Sequence, residues 1–400
     1  MKVLIAEDES VTRRMLQRTM EKWGYEVVMT RNGVEALEAF RKERFLMVIT
    51  DWVMPEMDGL ELVQKIRDSL KETDYVYILM LTAKSEKEDL IVGMNAGADD
   101  FVAKPFDRDE LRVRLRAGQR IIELEDMLQK RNEELQTANK RMKRDLQAAA
   151  RIQNSLLPGI SPENAQVATA WHFLPCEELA GDILNIFNLS DHEIGFYVLD
   201  VSGHGVPAAL LSVTLSRLLS PVLDDASLLK TQVSRPPGYE ITPPEKVANQ
   251  LNKRFQIDLE SGQFFTMLYG IINTRTREMR YVSCGHPGII YLPADGEAQV
   301  LHAPSLPVGF VEDAGYHEHV LPLNSGDRVY IYSDGILEAE NAARDLFGAS
   351  RMLEVLNSAR NVPLKQSFQQ LVKQVEKWTH SKASLKDDVT LVGIEMKHNL

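Results

Sequence analysis

The sequence predicts a multidomain chain: a doubly wound, parallel five-stranded α/β sheet, then a helical coiled-coil linker, then an α+β region built as a β-sandwich flanked by helices. Three observations carry this. Short apolar runs alternate with amphipathic stretches up to residue 104; a stretch without proline and with a single glycine follows; longer strand-like runs fill the rest. At 400 residues the chain exceeds one ordinary domain. The expected boundaries are 1–118, 119–157 and 158–400.

Bulk composition narrows the function. Hydrophobic residues make up 44%, as in globular proteins, and a formal net charge of -12 disfavours nucleic acid and anionic membranes as partners. The two cysteines, Cys176 and Cys284, are far apart and have no second Cys or His at ligand spacing, which argues against a disulfide framework or a zinc site. No apolar stretch approaches the roughly 18 residues of a membrane span, and MKVLIAEDES lacks the form of a signal peptide. A cytoplasmic location is therefore expected.

In the first region KVLIA, YEVVMT, FLMVIT, VYILML and DDFVAK read as strands, with VTRRMLQRTMEKW and GVEALEAFRKE as helices between them. Parallel sheets gather ligands at the carboxyl ends of their strands. Those ends carry Glu7 and Asp8, Asp51, Thr82 and Lys104. Carboxylates converging from separate strands call for a divalent cation, and hard oxygen ligands suit Mg2+. The lysine and the hydroxyl complete a pocket for a phosphoryl group. Taken singly, Glu9 or Asp58 reads as an ordinary solvated loop residue.

The runs EDE, DWVMPEMDGLEL, LTAK and GADDFVAKPF, in this order, resemble the bacterial response-regulator receiver domain. The resemblance implies that Asp51 accepts a phosphoryl group and that Glu7, Asp8, Asp51 and the Val53 carbonyl hold Mg2+. It also implies that Thr82 and Lys104 contact the phosphoryl oxygens, and that Phe101 repacks on phosphorylation. A phosphoaspartate adds charge and acceptor oxygens, which biases the neighbouring surface between two states. A cognate histidine kinase or phosphotransfer protein is the implied partner.

From about Arg116 to Leu156, Ile121, Leu128, Leu135, Met142, Ala149 and Leu156 recur at sevenfold spacing, a coiled-coil seam. The companion positions Leu124, Arg131, Ala138, Asp145 and Ile152 are only partly apolar, so the zipper is weak. A parallel homodimer buries this stripe; a single helix lying along one domain is the alternative. Pro158 ends the helix.

Beyond residue 160, EIGFYVLD, FTMLYGII, MRYVSCG, GIIYLP, RVYIYSD and VTLVGIE read as strands, with helices near Pro207–Leu219, Pro244–Phe255 and Ser350–Leu356. The proline-rich segment Leu223–Pro244 reads as an irregular loop near the site. Asp182, Asp200, Asp334, Asp387 and Asp388 fall at strand ends and turns, four separated carboxylate sites without matching basic neighbours, which implies a cluster around cations. Oxygen-only ligation favours magnesium or manganese. Two such ions about 3.5–4 Å apart lower the pKa of a shared water and hold a phosphoryl oxygen, so hydrolysis needs no enzyme nucleophile. In LDVSGHGVPAALL, Asp200 bridges the ions, Gly203 and Gly205 permit a tight turn, and Pro207 opens the helix. His204 and His286 have no zinc spacing and are expected at the turn or the substrate edge. AGD alone also starts a cyclic-dinucleotide synthase motif, but Ile183 and Leu184 stand where acidic and aromatic residues are required.

LAGDIL, DVSGHGVPAALL, QFFTMLYG, YVSCGHPG, SLPVGF, SDGILEAEN and KDDVTLV, with the RIQNSLLP lead-in, resemble the metal-dependent protein phosphatases of the SpoIIE/RsbU branch. That resemblance implies two Mn2+ or Mg2+ ions. Asp200 is shared by both, the Val201 carbonyl lies on one, Asp334 and Asp387 on the second; Asp182 holds metal-bound water, with Asp388 a neighbour. Ala180 and Asn185 depart from the branch, which usually has glycine and aspartate there. The implied activity is a receiver-controlled protein serine/threonine phosphatase acting on a phosphoprotein such as an anti-sigma-factor antagonist. A non-catalytic adaptor that binds a sigma factor is the second reading, disfavoured by the retained aspartates. A transcription factor is the third, disfavoured by the absence of a basic recognition helix.

Overall fold

The computed structural model describes residues 1–71, 74–83, 87–159, 164–256, 262–379 and 385–397. The chain forms two compact units, Met1–Arg141 and Met142–Leu400. In the first, strands β1 (Lys2–Ala6), β2 (Glu26–Thr30), β3 (Met47–Asp51), β4 (Tyr77–Thr82) and β5 (Asp100–Ala103) pair in parallel in the order β2-β1-β3-β4-β5. Strands β3 and β4 are buried along their whole length, which is why they read as unbroken apolar runs.

Helices cover both faces. On one, Ala36 and Leu37 of α2 (Gly33–Lys42) and Leu62, Val63 and Ile66 of α3 (Gly59–Ser69) pack on Leu4, Val48 and Ile78. On the other, Leu16 and Met20 of α1 (Ser10–Lys22) meet Val3, Ile49 and Leu79, together with Leu111, Leu115 and Ile122 of α5 (Arg108–Asn154). Helix α4 (Lys87–Asn95) lies between β4 and β5 in the chain. Asp58, read alone as a solvated residue, caps α3 by accepting from the Glu61 N–H at 2.8 Å.

Helix α5 starts at Arg108 rather than near Arg116, because Leu111 and Leu115 already belong to its buried stripe. Beyond Ile122 the expected seam faces solvent: Leu124, Leu128, Leu135 and Met142 are all exposed. Among the described residues no helix is long and apolar enough to cross a membrane.

The second unit is a four-layer sandwich, helices outside two antiparallel sheets. One sheet runs β15 (His319–Pro322), β12 (Glu278–Cys284), β11 (Phe265–Asn273), β8 (Glu193–Val201), β7 (Ile183–Ser190). The other runs β14 (Gln299–Leu301), β13 (Ile289–Leu292), β16 (Arg328–Tyr332), β17 (Val389–Met396), β6 (Val167–Leu174). Strand β8 shows how sequence sets the layers. Ile194, Phe196 and Val198 point inward to Val329, Ile331 and Val392, while Tyr197, Leu199 and Val201 face the helices. Those helices are α6 (Val206–Leu218) and α7 (Pro244–Arg254), contributing Leu215, Val247 and Leu251. Across the sandwich, α8 (Gly348–Ser358) and α9 (Leu364–Thr379) cover Tyr330, Tyr332 and Leu391 with Met352, Leu356, Phe368 and Leu371.

The segment Leu223–Pro244 is not wholly irregular. It contains a short antiparallel hairpin, β9 (Lys230–Gln232) and β10 (Tyr239–Ile241), in which Thr231 pairs with Glu240 and Tyr239 with Gln232. Pro236 and Pro237 lie in the connecting turn, where their missing N–H groups cost no ladder bond, and Pro243 and Pro244 stand at the start of α7.

Candidate functional site

In the first unit the parallel sheet brings Glu7, Asp51, Thr82 and Lys104 to its carboxyl edge, since each ends or follows a strand. Lys104 Nζ donates to Glu7 Oε2 at 2.8 Å and to Asp51 Oδ2 at 2.6 Å. Burial opposes the lysine's charge, but the bonds to Asp51 and Glu7 outweigh it and raise its pKa. Glu7 is fully buried, and burial pushes its pKa up against the pull of Lys104. Ligand oxygens of Glu7, Asp8 and Asp51 lie within 4.8 Å of one another, so the expected Mg2+ set converges. Asp8 and Val53 are exposed. Thr82 is buried, and its carbonyl accepts from the Lys104 N–H at 2.7 Å. The Phe101 ring lies 6.4 Å from that of Trp52, centroid to centroid. Lys84 of the LTAK run lies outside the described residues.

In the second unit Asp200 is the last residue but one of β8 and Asp182 precedes its partner β7, with Ile183 opposite Leu199. In the facing sheet Asp334 follows β16 and Asp387 and Asp388 precede β17, with Tyr332 opposite Leu391. Both groups therefore stand at one end of the sandwich, and side chains join the sheets there. Thr390 Oγ1 donates to Asp182 Oδ2. Asp388, itself buried, accepts from the N–H groups of Cys176 (2.8 Å), Gly181 (2.8 Å) and Asp182 (3.2 Å). Its oxygens are thus committed to holding the loop around Asp182.

The remaining aspartates repel one another. Burial, then the charges of Asp334, Asp387 and Asp388, push Asp200 up to about 7. Asp334 is raised to about 6 by burial, Asp387 and Glu338. Asp387 is raised by burial and by Asp388 and Glu338, and Asp182 by burial, Asp200 and Asp388. Asp200 thus feels the charges of Asp334 and Asp387, Asp334 that of Asp387 and Asp182 that of Asp200, with burial the larger cause in each. Among the described residues, the side chains here whose ligand atoms all lie within 4.8 Å of one another are Cys176, Asp387 and Asp388, a set that does not include Asp182, Asp200 or Asp334. Asp334 Oδ1 is buried without a hydrogen-bond donor among the described residues. A desolvated carboxylate oxygen is costly unless a cation meets it, so this oxygen-only set fits divalent metal ions.

The turn after Asp200 is built as its glycines suggest: Gly203 and Gly205 have φ of +86° and +80°, and α6 begins at Val206 with Pro207 in its first turn. His204 is exposed and pairs with Glu177 Oε2 at 3.1 Å, which places it at the turn. His286 is buried, 3.0 Å from Thr266 Oγ1, and burial lowers its pKa to about 3, so it stays neutral. The Cys176 thiol lies within 4.8 Å of Asp387 and Asp388 and is pushed up to about 12 by burial and Asp388. Sequence reasoning missed Thr390, Glu338 and Gln153, whose carboxamide reaches Ala180. Thr390 sits within the KDDVTLV run, yet nothing in its spacing marks it as a partner of Asp182.

A doubly wound parallel sheet with an acidic carboxyl edge, and a four-layer sandwich with a nest of aspartates at one end, define a response-regulator receiver joined to a protein-phosphatase fold. The match of residues 190–397 to the Stage II sporulation protein E (SpoIIE) family, just over half the chain, shows that the chain belongs to that family; residues 3–116 match the response regulator receiver domain. The phosphoserine phosphatase RsbP of Bacillus subtilis (strain 168) is 29% identical over 201 residues, 49% of this chain and 46% of that protein. The probable transcriptional regulator ycf27 of Pyropia yezoensis is 46% identical over 116 residues, 29% of this chain and 46% of that protein. The chain thus spans about half the length of the curated relatives it matches. Among solved structures, the SiaA-PP2C domain of Pseudomonas aeruginosa superposes with a TM-score of 0.54 at 18% identity, covering 65% of this chain and 99% of that one, which is a likeness of fold.

Proposed function

We propose that this chain is a metal-dependent protein serine/threonine phosphatase whose activity is set by phosphorylation of Asp51. The observation that carries it is the placing of Asp182, Asp200, Asp334 and Asp387 at the same end of two facing sheets, each raised in pKa chiefly by burial, with a buried Asp334 oxygen that has no donor among the described residues. The set fits two Mn2+ or Mg2+ ions. Asp200 would be shared by both, with the Val201 carbonyl on one and Asp334 and Asp387 on the other. When bound, such ions supply an activated water and polarise the phosphoryl group. Asp182, held by Thr390, would orient that water for in-line attack. Asp388 keeps the Gly181–Asp182 backbone in place. The retained carboxylates stand against a purely adaptor role.

In the receiver, Glu7, Asp8, Asp51 and the Val53 carbonyl would hold Mg2+, while Thr82 and Lys104 would meet the phosphoryl oxygens donated by a histidine kinase or phosphotransfer protein. Phe101, beside Trp52, is placed to repack. Residues 119–157, with Leu124, Leu128, Leu135 and Met142 exposed, form a seam for parallel dimerisation. The substrate class is a phosphorylated regulatory protein of the anti-sigma-factor-antagonist kind.

Purified chain assayed on a phosphoserine peptide with Mn2+ tests this. Asp200→Ala is expected to lower hydrolysis by about a thousandfold, the several kcal/mol that metal-assisted chemistry supplies. Hydrolysis that is absent from the parent chain, or that survives this substitution, refutes the reading.

A further inference from the structure

Helices α8 and α9 lie side by side over the second sheet, and a groove of about 550 Å³ runs between them. Phe347 and Trp378 supply its apolar surface, Arg351 of α8 and Lys373 and Lys377 of α9 its positive charge, and Glu354 is the one carboxylate that lines it. This charge runs against that of the chain. Residues 348–379 hold five lysines and arginines against two glutamates, whereas the whole chain carries a formal net charge of -12. Lys373 and Lys377 are exposed and form no ion pair among the described residues. A positive groove on a negative protein selects an anionic partner.

Arg351 is fixed in place by the protein itself. Its guanidinium carbon lies 4.0 Å from the centroid of the Trp378 ring, and Nη1 donates to the Leu346 and Phe347 carbonyls at 3.1 and 2.9 Å. Trp378 is held in turn: Nε1 donates to the Asp345 carbonyl at 3.1 Å, and its ring stands edge-on to Phe347. Nε and Nη2 of Arg351 have no partner among the described residues. A guanidinium set in this way meets a carboxylate with little further loss of freedom.

The dimensions suit a protein segment. Lys373 and Lys377 stand one turn apart on α9, about 6 Å, and alternate side chains of an extended chain repeat at about 6.6 Å. Acidic residues at every second position therefore meet both lysines. The groove also adjoins the end of the sandwich that carries Asp334. The chain leaves Asp334 and returns at the start of α8, where the Gly348 N–H donates to the Leu337 carbonyl at 3.0 Å and the Phe347 N–H to that of Ala339 at 2.8 Å. From Asp334 to Leu337 is at most about 11 Å of chain.

We propose that this groove docks an acidic, extended segment of the phosphoprotein substrate, with carboxylates at alternate positions on Lys373 and Lys377 and a further one at Arg351, while the phosphoserine of the same substrate reaches the aspartates. The inference rests on the phosphatase reading above and adds to it a second point of contact.

The test has two arms. In the first, a labelled peptide, Glu-Leu-Glu-Leu-Glu flanked by glycines and serines, is titrated with the full chain and followed by fluorescence anisotropy. The parent is expected to bind it, about tenfold more weakly when salt is raised to about 0.5 M. Lys373→Glu combined with Lys377→Glu, both at exposed positions, is expected to weaken binding by about tenfold or more. Binding that survives this reversal, or a Lys-Leu-Lys-Leu-Lys peptide that binds as well, overturns the proposal. Preference for oligothymidylate overturns it too, as does a reversal that turns a dimer into a monomer, which assigns the groove to a second copy. In the second arm, a phosphoserine peptide carries either tail on a flexible linker. The acidic tail is expected to give a KM about tenfold below that of the basic one at equal kcat, and the reversal to erase the difference. Equal KM values in the parent refute the substrate as occupant and leave the phosphatase reading intact. A parent that hydrolyses neither peptide refutes the phosphatase reading, and with it the substrate as occupant, while the anisotropy arm still decides whether the groove takes an acidic segment.

Discussion

In the N-terminal unit Glu7 and Asp51 meet Lys104 at 2.8 and 2.6 Å; in the C-terminal unit Asp182, Asp200, Asp334 and Asp387 pair with no lysine or arginine among the described residues. Both clusters stand at strand ends, where a sheet delivers side chains from distant parts of the chain to one edge. The first carries its own counter-charge. An incoming cation or phosphoryl group there rearranges an arrangement already close to balance, which suits a switch. The second is unbalanced: burial and then neighbouring aspartates raise the pKa of Asp200 and Asp334, and Asp334 Oδ1 lacks a donor among the described residues. Under the proposed function such a nest would suit catalysis, because divalent ions held there would activate water.

The contrast can be broken most directly by melting the chain with and without divalent metal. Without metal, Asp200 titrates at about 7 and Asp334 at about 6, against about 4 in an unfolded chain. Between those limits the folded unit holds more protons than the unfolded one, so its stability falls as pH rises. The metal-free melting temperature is expected to be higher at about pH 5 than at about pH 7.5. Saturating Mn2+ is expected to restore about 3 kcal/mol at the higher pH and less at the lower. A metal-free melt that is most stable at the higher pH removes the contrast.

A smaller effect is expected from Lys104→Met in the receiver. Losing the counter-charge leaves Glu7 and Asp51 facing each other and costs about 2 kcal/mol in a urea melt of that unit, the partly open site reducing the penalty of a fully buried pair. Mg2+ should then stabilise this variant more than the parent; an equal Mg2+ effect would mean that Lys104 does not balance the site. The smallest change in stability is expected from Leu128→Glu with Leu135→Glu, both exposed on α5. The melt should move by less than about 0.5 kcal/mol, while sedimentation shifts from dimer to monomer. An unchanged sedimentation profile would exclude the linker seam as the dimer contact.

How much of this was legible in the sequence depended on burial. In the sandwich, EIGFYVLD, FTMLYGII, MRYVSCG, GIIYLP, RVYIYSD and VTLVGIE correspond to β8, β11, β12, β13, β16 and β17, all interior to their sheets. The strands not anticipated, β6, β7, β14 and β15, are the four sheet edges. An edge strand need not be apolar on both faces: β7 carries Asn185 and Asn188 within ILNIFNLS, and β15 is largely exposed. Helix α9 was readable, since Leu364, Phe368, Leu371 and Val375 keep helical spacing, but its glutamines and lysines mask the stripe. Among the site residues, aspartates at strand ends stood out because acidic residues closing apolar runs are conspicuous. Gln153 and Thr390 did not, for their roles arise from contacts across 27 and 208 positions of chain.

Asp388 grips residues 176, 181 and 182 from the far side of the sandwich, and Asp387 stands beside it. During synthesis the receiver sheet can close as soon as its fifth strand and α5 have left the ribosome, whereas the aspartate cluster of the sandwich stays incomplete until this late turn has emerged. A chain cut short between the two would keep the Glu7, Asp51 and Lys104 cluster but lack Thr390 and Asp388, the groups that hold Asp182 and the segment before it.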